Sequence, residues 1–121
     1  MNPVRNNIIT GKRKISNGMN IVILVTAANK KEAGKIASAL IKEKLAACVN
    51  IISNIHSLFR WQGKVDNAKE TLLIIKSRKA LMHKLIKKVK SLHSYEVPEI
   101  IALPIISGDK KYLRWINEST R

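Results

Sequence analysis

A single cysteine, Cys48, stands in this chain of 121 residues. An intramolecular disulfide is thereby excluded, and so is any zinc motif built on cysteine pairs. No apolar run is long enough to cross a bilayer, so no membrane partner is expected. Near the start only Ile8-Ile9 interrupts the polar sequence, well short of a secretory signal, and a cytoplasmic home is expected. Aromatics are few: two Trp, two Tyr and one Phe. Acids are scarce as well, 8 Asp and Glu against 23 Lys and Arg, for a formal net charge of +15. Such a surface attracts polyanions and keeps like molecules apart. The lysines are scattered and lack accompanying base-stacking rings, so contact with nucleic acid is expected only nonspecifically. No glycine-rich phosphate loop and no nucleophile paired with a base is visible, and no enzyme is expected.

What is present reads as one domain. A chain this short buries only about two-thirds of its unfolded surface, so association with further copies would help its core. Residues 1–18 carry Arg5, Lys12, Arg13 and Lys14 with no acid and no periodicity. They read as a disordered basic arm, or as an extension ahead of a true start at Met19. The domain proper is 19–121. Ile21-Val22-Ile23-Leu24-Val25 is a β-branched run of the kind buried on both faces. Asn29, three residues before Glu32, predicts a capped helix. Ala33, Ile36, Ala37, Leu40, Ile41 and Leu45 form its apolar stripe.

Cys48 to Trp61 and Val65 to Lys76 predict a hairpin turned at Gly63, with arms longer than the usual strand. Arms that long outrun a small domain, and a neighbouring subunit is the expected support for their ends. Ser77 is expected to cap a second helix with Leu81, Leu85, Val89 and Leu92 inward. Val97 to Ile106 predicts a fourth strand, with Pro98 and Pro104 at positions that donate no ladder bond. Asp109 is expected to cap a short last helix bearing Tyr112, Leu113, Trp115 and Ile116. The order is β-α-β-β-α-β-α. Its first six elements spell an α+β, ferredoxin-like βαββαβ fold with an antiparallel sheet, followed by a C-terminal helix. In a lone module the sheet face away from the helices would be polar. Here 21–25 and 72–75 are apolar on both faces, which predicts sheet-to-sheet packing between chains.

His93-Ser94-Tyr95-Glu96-Val97-Pro98-Glu99 packs an imidazole, a phenol and two carboxylates just before the apolar run Ile100-Ile101-Ala102-Leu103. A polar cluster abutting a strand is where a fold displays its chemistry. Glu70 and Lys76 are six apart on one strand and so share a face. With Trp61, Tyr95, Glu96 and Glu99 they make either an interface cleft for a small anion or cation, or a buried polar network fixing subunit register. His93 is a candidate metal ligand, a proton carrier or a hydrogen-bonded structural residue. His56 and His83 read as surface residues, and Cys48 as a small buried apolar group.

Several of these stretches together resemble the CutA family, the divalent-cation tolerance proteins. They are Val25-Thr26-Ala27, Glu43 to Asn50, Trp61-Gln62-Gly63-Lys64, Glu70 with Leu72 to Ser77, His93 to Ile105, and Gly108 with Tyr112-Leu113 and Trp115. The resemblance covers Met19 to about Ser119. It implies a fold similar to the nitrogen-regulatory PII proteins and a compact homotrimer whose hairpins contact neighbouring subunits. It also implies tolerance of divalent metals, with copper or another divalent cation bound weakly or indirectly. The copper ligands proposed in bacterial members fall here at Val25, Leu92 and His93, of which only His93 offers a lone pair. The alternative function is a PII-like sensor, a signalling trimer that binds a small anionic ligand between subunits.

Overall fold

The computed structural model describes residues 18–121. The expected basic arm and the question of a start at Met19 fall, but for Gly18 and Met19 themselves, outside the described residues. Four strands and three helices follow in the order β1 (Asn20–Ala27), α1 (Lys30–Lys42), β2 (Cys48–Trp61), β3 (Lys64–Arg78), α2 (Met82–Leu92), β4 (Ile100–Pro104) and α3 (Lys110–Ser119). The sheet runs β2-β3-β1-β4 and every neighbouring pair is antiparallel. This is the α+β, ferredoxin-like arrangement that the element order predicts, with the two long hairpin strands on one side and β1 at the centre of the rest.

Alternation along β1 and β3 divides the sheet into two faces. Ile21, Ile23, Val25, Leu73 and Ile75 point to the helix side and pack with Ala33, Ile36 and Leu40 of α1 and Leu85 and Val89 of α2. The stripe of α1 works as its spacing predicts, except that Ile41 stays exposed. Asn29 caps α1 by accepting from the Glu32 N–H at 2.8 Å. The Glu32 carboxylate answers by accepting from the N–H of Ala28, one residue before the cap, at 3.1 Å. Asp109 caps α3 through the Tyr112 N–H at 3.0 Å.

Ser77 departs from expectation. It is the penultimate residue of β3, wholly buried, and its hydroxyl donates to the Leu45 carbonyl at 2.6 Å. The strand runs on to Arg78, and a short 3-10 turn at Lys79–Leu81 leads into α2 instead. The fourth strand is also shorter than Val97 to Ile106, because β1 offers partners only from Val25 to Ile21.

The face away from α1 and α2 is largely aliphatic: Val22, Leu24, Ile52, Leu72, Ile74, Ile101 and Leu103 lie on it by register. Helix α3 covers one end. There Asn117 accepts from Asn20, and Arg78 donates to the hydroxyl and carbonyl oxygens of Thr120, each at 2.8 Å. Ile116 of α3 is fully buried, apart from the main core. The rest of the face stays open, with Ile52, Ile101 and Leu103 large and exposed.

A bulge decides what the hairpin shows. Ile52 pairs with Leu72 but Ile55 pairs with Glu70, so Ser53 and Asn54 together oppose Thr71. Asn54 takes a left-handed conformation, φ 61°, which Asn tolerates better than most residues. The extra residue switches alternation. Ile55, Phe59 and Trp61 therefore join Ile52 on the open face instead of turning to the other side. Gln62 and Gly63, both at positive φ (52° and 78°), close the hairpin as a primed two-residue turn. Beyond Thr71 the hairpin has no β1 alongside, and Leu58, Phe59, Trp61 and Val65 are left exposed.

Candidate functional site

The segment between α2 and β4 wraps the end of β1, and His93, Ser94 and Tyr95 meet β1, α1 and β3 there. The His93 side chain is fully buried. Its Nε2 lies 2.7 Å from the Thr26 carbonyl oxygen, and its Nδ1 lies 3.0 Å from the Tyr95 backbone nitrogen. A carbonyl can only accept and a backbone N–H can only donate. The hydrogen-bond network therefore assigns the proton to Nε2 and the lone pair to Nδ1. Glu32 Oε2 stands 3.6 Å from Nδ1, and Glu32 Oε1 accepts from the Ser94 N–H at 3.1 Å. Burial works to raise the Glu32 pKa, but the hydrogen bonds from Ser94 and Ala28 outweigh it and hold it below 4.5.

Tyr95 stacks at a tilt on His93, ring centroids 4.7 Å apart, and its hydroxyl donates to Glu70 Oε2 at 2.7 Å. Burial, the hydrogen bond to Glu70 and the charges of Glu70 and Glu32 push the Tyr95 pKa up to about 12. Burial, then the charge and hydrogen bond of Cys48, raise Tyr112 above 10 as well. These are the only two tyrosines of the chain. Native protein is thus expected to develop tyrosinate absorbance well above pH 10, and urea-unfolded protein near pH 10. The stability these groups contribute is whole below pH 10 and is lost as pH rises through the folded values. Coincident native and unfolded titration curves would contradict both arrangements.

The remaining predicted site residues scatter. Lys76 does share a face with Glu70, but six strand residues place it about 20 Å away. There its ammonium reaches the Asn50 side-chain oxygen and lies 4.0 Å from Cys48 Sγ. Cys48 is half-buried on the open face rather than sealed in the core. Tyr112 and Trp115 pack beside one another at 5.4 Å. Trp61 stands at the hairpin end, and Glu96 and Glu99 are exposed. One protomer therefore unites His93, Tyr95 and Glu70, adds Glu32, and leaves Trp61, Lys76, Glu96 and Glu99 elsewhere. Glu32 was legible only as a helix cap; its approach to His93 spans 61 positions and has no local signal.

A copper ion does not fit this protomer. Both nitrogens of His93 are occupied, and Val25 and Leu92 have no lone pairs. Among the described residues no three His, Cys, Asp or Glu side chains converge on a common point.

Residues 21–119 match the family described as CutA1 divalent ion tolerance protein. The chloroplastic Protein CutA of Arabidopsis thaliana is 49% identical over 102 residues, covering 84% of this chain and 56% of the relative. The Divalent-cation tolerance protein CutA of Thermus thermophilus is 47% identical over 102 residues, 84% of this chain and 99% of the relative. Its solved structure superposes with a TM-score of 0.84, covering 85% of this chain and all of the other. Rice CutA1, at 50% identity, gives 0.83 over 85% of this chain and 94% of the other. The chain spans a little over half the length of the plant relatives it matches. A match over nearly all the described residues, joined to the close superposition on solved CutA1 structures, makes this chain a member of the CutA1 divalent ion tolerance family.

Proposed function

We propose that this protein supports tolerance of divalent cations, copper foremost, as a homotrimer that binds metal weakly or indirectly and acts by binding rather than catalysis. The observation that carries the reading is the family match across 21–119. It supports divalent-cation tolerance over the PII-like sensor. The open aliphatic face and the overlong hairpin support self-association, since exposed apolar surface of this extent marks an interaction site. The occupied nitrogens of His93 support indirect or weak metal contact over a dedicated copper centre in each chain. We place the protein in the cytoplasm, where a reducing environment keeps the lone thiol of Cys48 free.

Deletion of the gene in its source organism, followed by growth on graded copper, zinc and cobalt, tests the reading. Lower tolerance of at least one metal is expected, restored by the intact gene and equally by a His93→Gln version. Unchanged growth on all three would overturn it.

A further inference from the structure

A groove of about 420 Å³ lies between the start of α1 and the bulge of the hairpin. It is on the helix side of the sheet, opposite the open aliphatic face, and meets the His93 cluster only at Glu70 and at Ala28, whose N–H donates to Glu32. Thr71 forms part of its floor. That residue is 3% exposed, and its hydroxyl has no hydrogen-bond partner among the described residues. Leaving a buried hydroxyl unpaired is unfavourable, so the position suits a partner that enters the groove. Alternation sets Thr71 beside Ala27 and Leu73 on the helix-facing side, directly beneath the entry to α1.

Apart from Asn29, whose side-chain oxygen caps α1, and the carboxylate of Glu70, the other polar groups around the groove can donate. Lys30 and Lys69 bring two ammonium groups, and Asn54 and Ser53 of the bulge bring an amide and a hydroxyl. The backbone N–H groups of Lys30 and Lys31 precede the first internal bond of α1, which begins at Ala33, while Glu32 N–H is already capped by Asn29. The nearby carboxylates are turned to other work. Glu70 borders the groove, but alternation sends its side chain to the opposite sheet face, where it accepts from Tyr95. Glu32 accepts from Ala28 and Ser94.

We propose that this groove binds a phosphate group, either free phosphate or the phosphate of a small phosphomonoester. Two cations match its double charge, and helix N–H groups above with strand and bulge donors below match its tetrahedral oxygens. The unpaired Thr71 hydroxyl supplies the buried hydrogen bond that diffuse attraction by surface lysines lacks. The site is distinct from metal tolerance: its ligand is an anion, and Glu70, which borders both the groove and the His93 cluster, keeps its carboxylate on Tyr95.

Thermal unfolding of the full chain in inorganic phosphate, in glycerol phosphate and in chloride at equal ionic strength tests it, with equilibrium dialysis of phosphate as a second readout. Phosphate is expected to raise the midpoint by roughly 5 °C over chloride near saturation and to bind at one site per chain. A larger rise with glycerol phosphate would identify the ester as the natural form, and an equal or smaller one free phosphate. Thr71→Val and Lys69→Gln are expected to fold and to lose the phosphate increment; in chloride Lys69→Gln should unfold within a few degrees of the parent, and Thr71→Val at or above the parent midpoint, because it removes an unpaired buried hydroxyl. Lys87→Gln, on the outer side of α2, is expected to keep it. Equal midpoints in phosphate and chloride would overturn the proposal. So would an increment that survives Thr71→Val, or one that Lys87→Gln removes as fully as Lys69→Gln does.

Discussion

Aspartate at both Ile101 and Leu103 is expected to reduce the protein to single chains of 13.6 kDa. Both side chains lie on the open face of β4, the edge strand beside β1, and each is about half exposed in the protomer, 51% and 50%. Changes at half-exposed edge positions cost a lone protomer little, about 0.5 kcal/mol each. In an assembly closed by these faces the same positions are dry. Losing two aliphatic contacts there forfeits about 2 kcal/mol per copy, and desolvating two carboxylates adds several more. A total above about 4 kcal/mol is a thousandfold or more in the dissociation constant. Sedimentation at micromolar concentration should show the change while far-ultraviolet circular dichroism stays native.

The sign of the new charge separates burial from long-range attraction. Each protomer carries +15, so aspartate lowers the mutual repulsion of copies and lysine raises it. Dissociation by both Ile101→Asp/Leu103→Asp and Ile101→Lys/Leu103→Lys identifies an apolar seam. Dissociation by lysine alone identifies charge repulsion, and a multi-subunit particle in both cases removes this face from the seam.

The apolarity of that face could be read before any coordinates, because five consecutive aliphatics at 21–25 cannot all point to one side of a strand. The element order, the caps at Asn29 and Asp109 and the turn at Gly63 were legible for the same reason: each is set within a few residues. What escaped the sequence was set across the fold. Ser77 has the chemistry of a helix cap, yet β3 continues through it because β1 supplies partners as far as Arg78. The bulge at Ser53-Asn54 carries no strong turn signal, but it decides that Phe59 and Trp61 share the face of Ile52. Lys76 and Glu70 have the right parity and the wrong distance. The Glu32–His93 approach depends on how the α2–β4 segment wraps the end of β1, which no local pattern encodes.

His93 is where the metal question and the folding question separate. His93→Ala is expected to lower the thermal midpoint by roughly 10 °C or more at fixed protein concentration, corresponding to about 3 kcal/mol for a chain of this size. The loss has two parts. The Thr26 carbonyl and the Tyr95 N–H lose their partners, each unpaired buried group costing about 1–3 kcal/mol, and the space left by a fully buried ring adds a cavity cost. His93→Gln sorts these parts. Its amide can donate to Thr26 from near the Nε2 position, so it should recover a substantial share of the midpoint, while His93→Asn, shorter and aimed at Tyr95, should recover less. Copper titration of the same proteins under native conditions should give one isotherm for all of them, because Nδ1 already accepts from Tyr95 and Nε2 already donates to Thr26. A ring held for metal behaves in the opposite way: copper binding falls in every variant, and glutamine does no better than alanine. The ranking of the three substitutions in stability, set beside their equality in copper binding, is therefore a sharper test of the buried imidazole than either measurement alone.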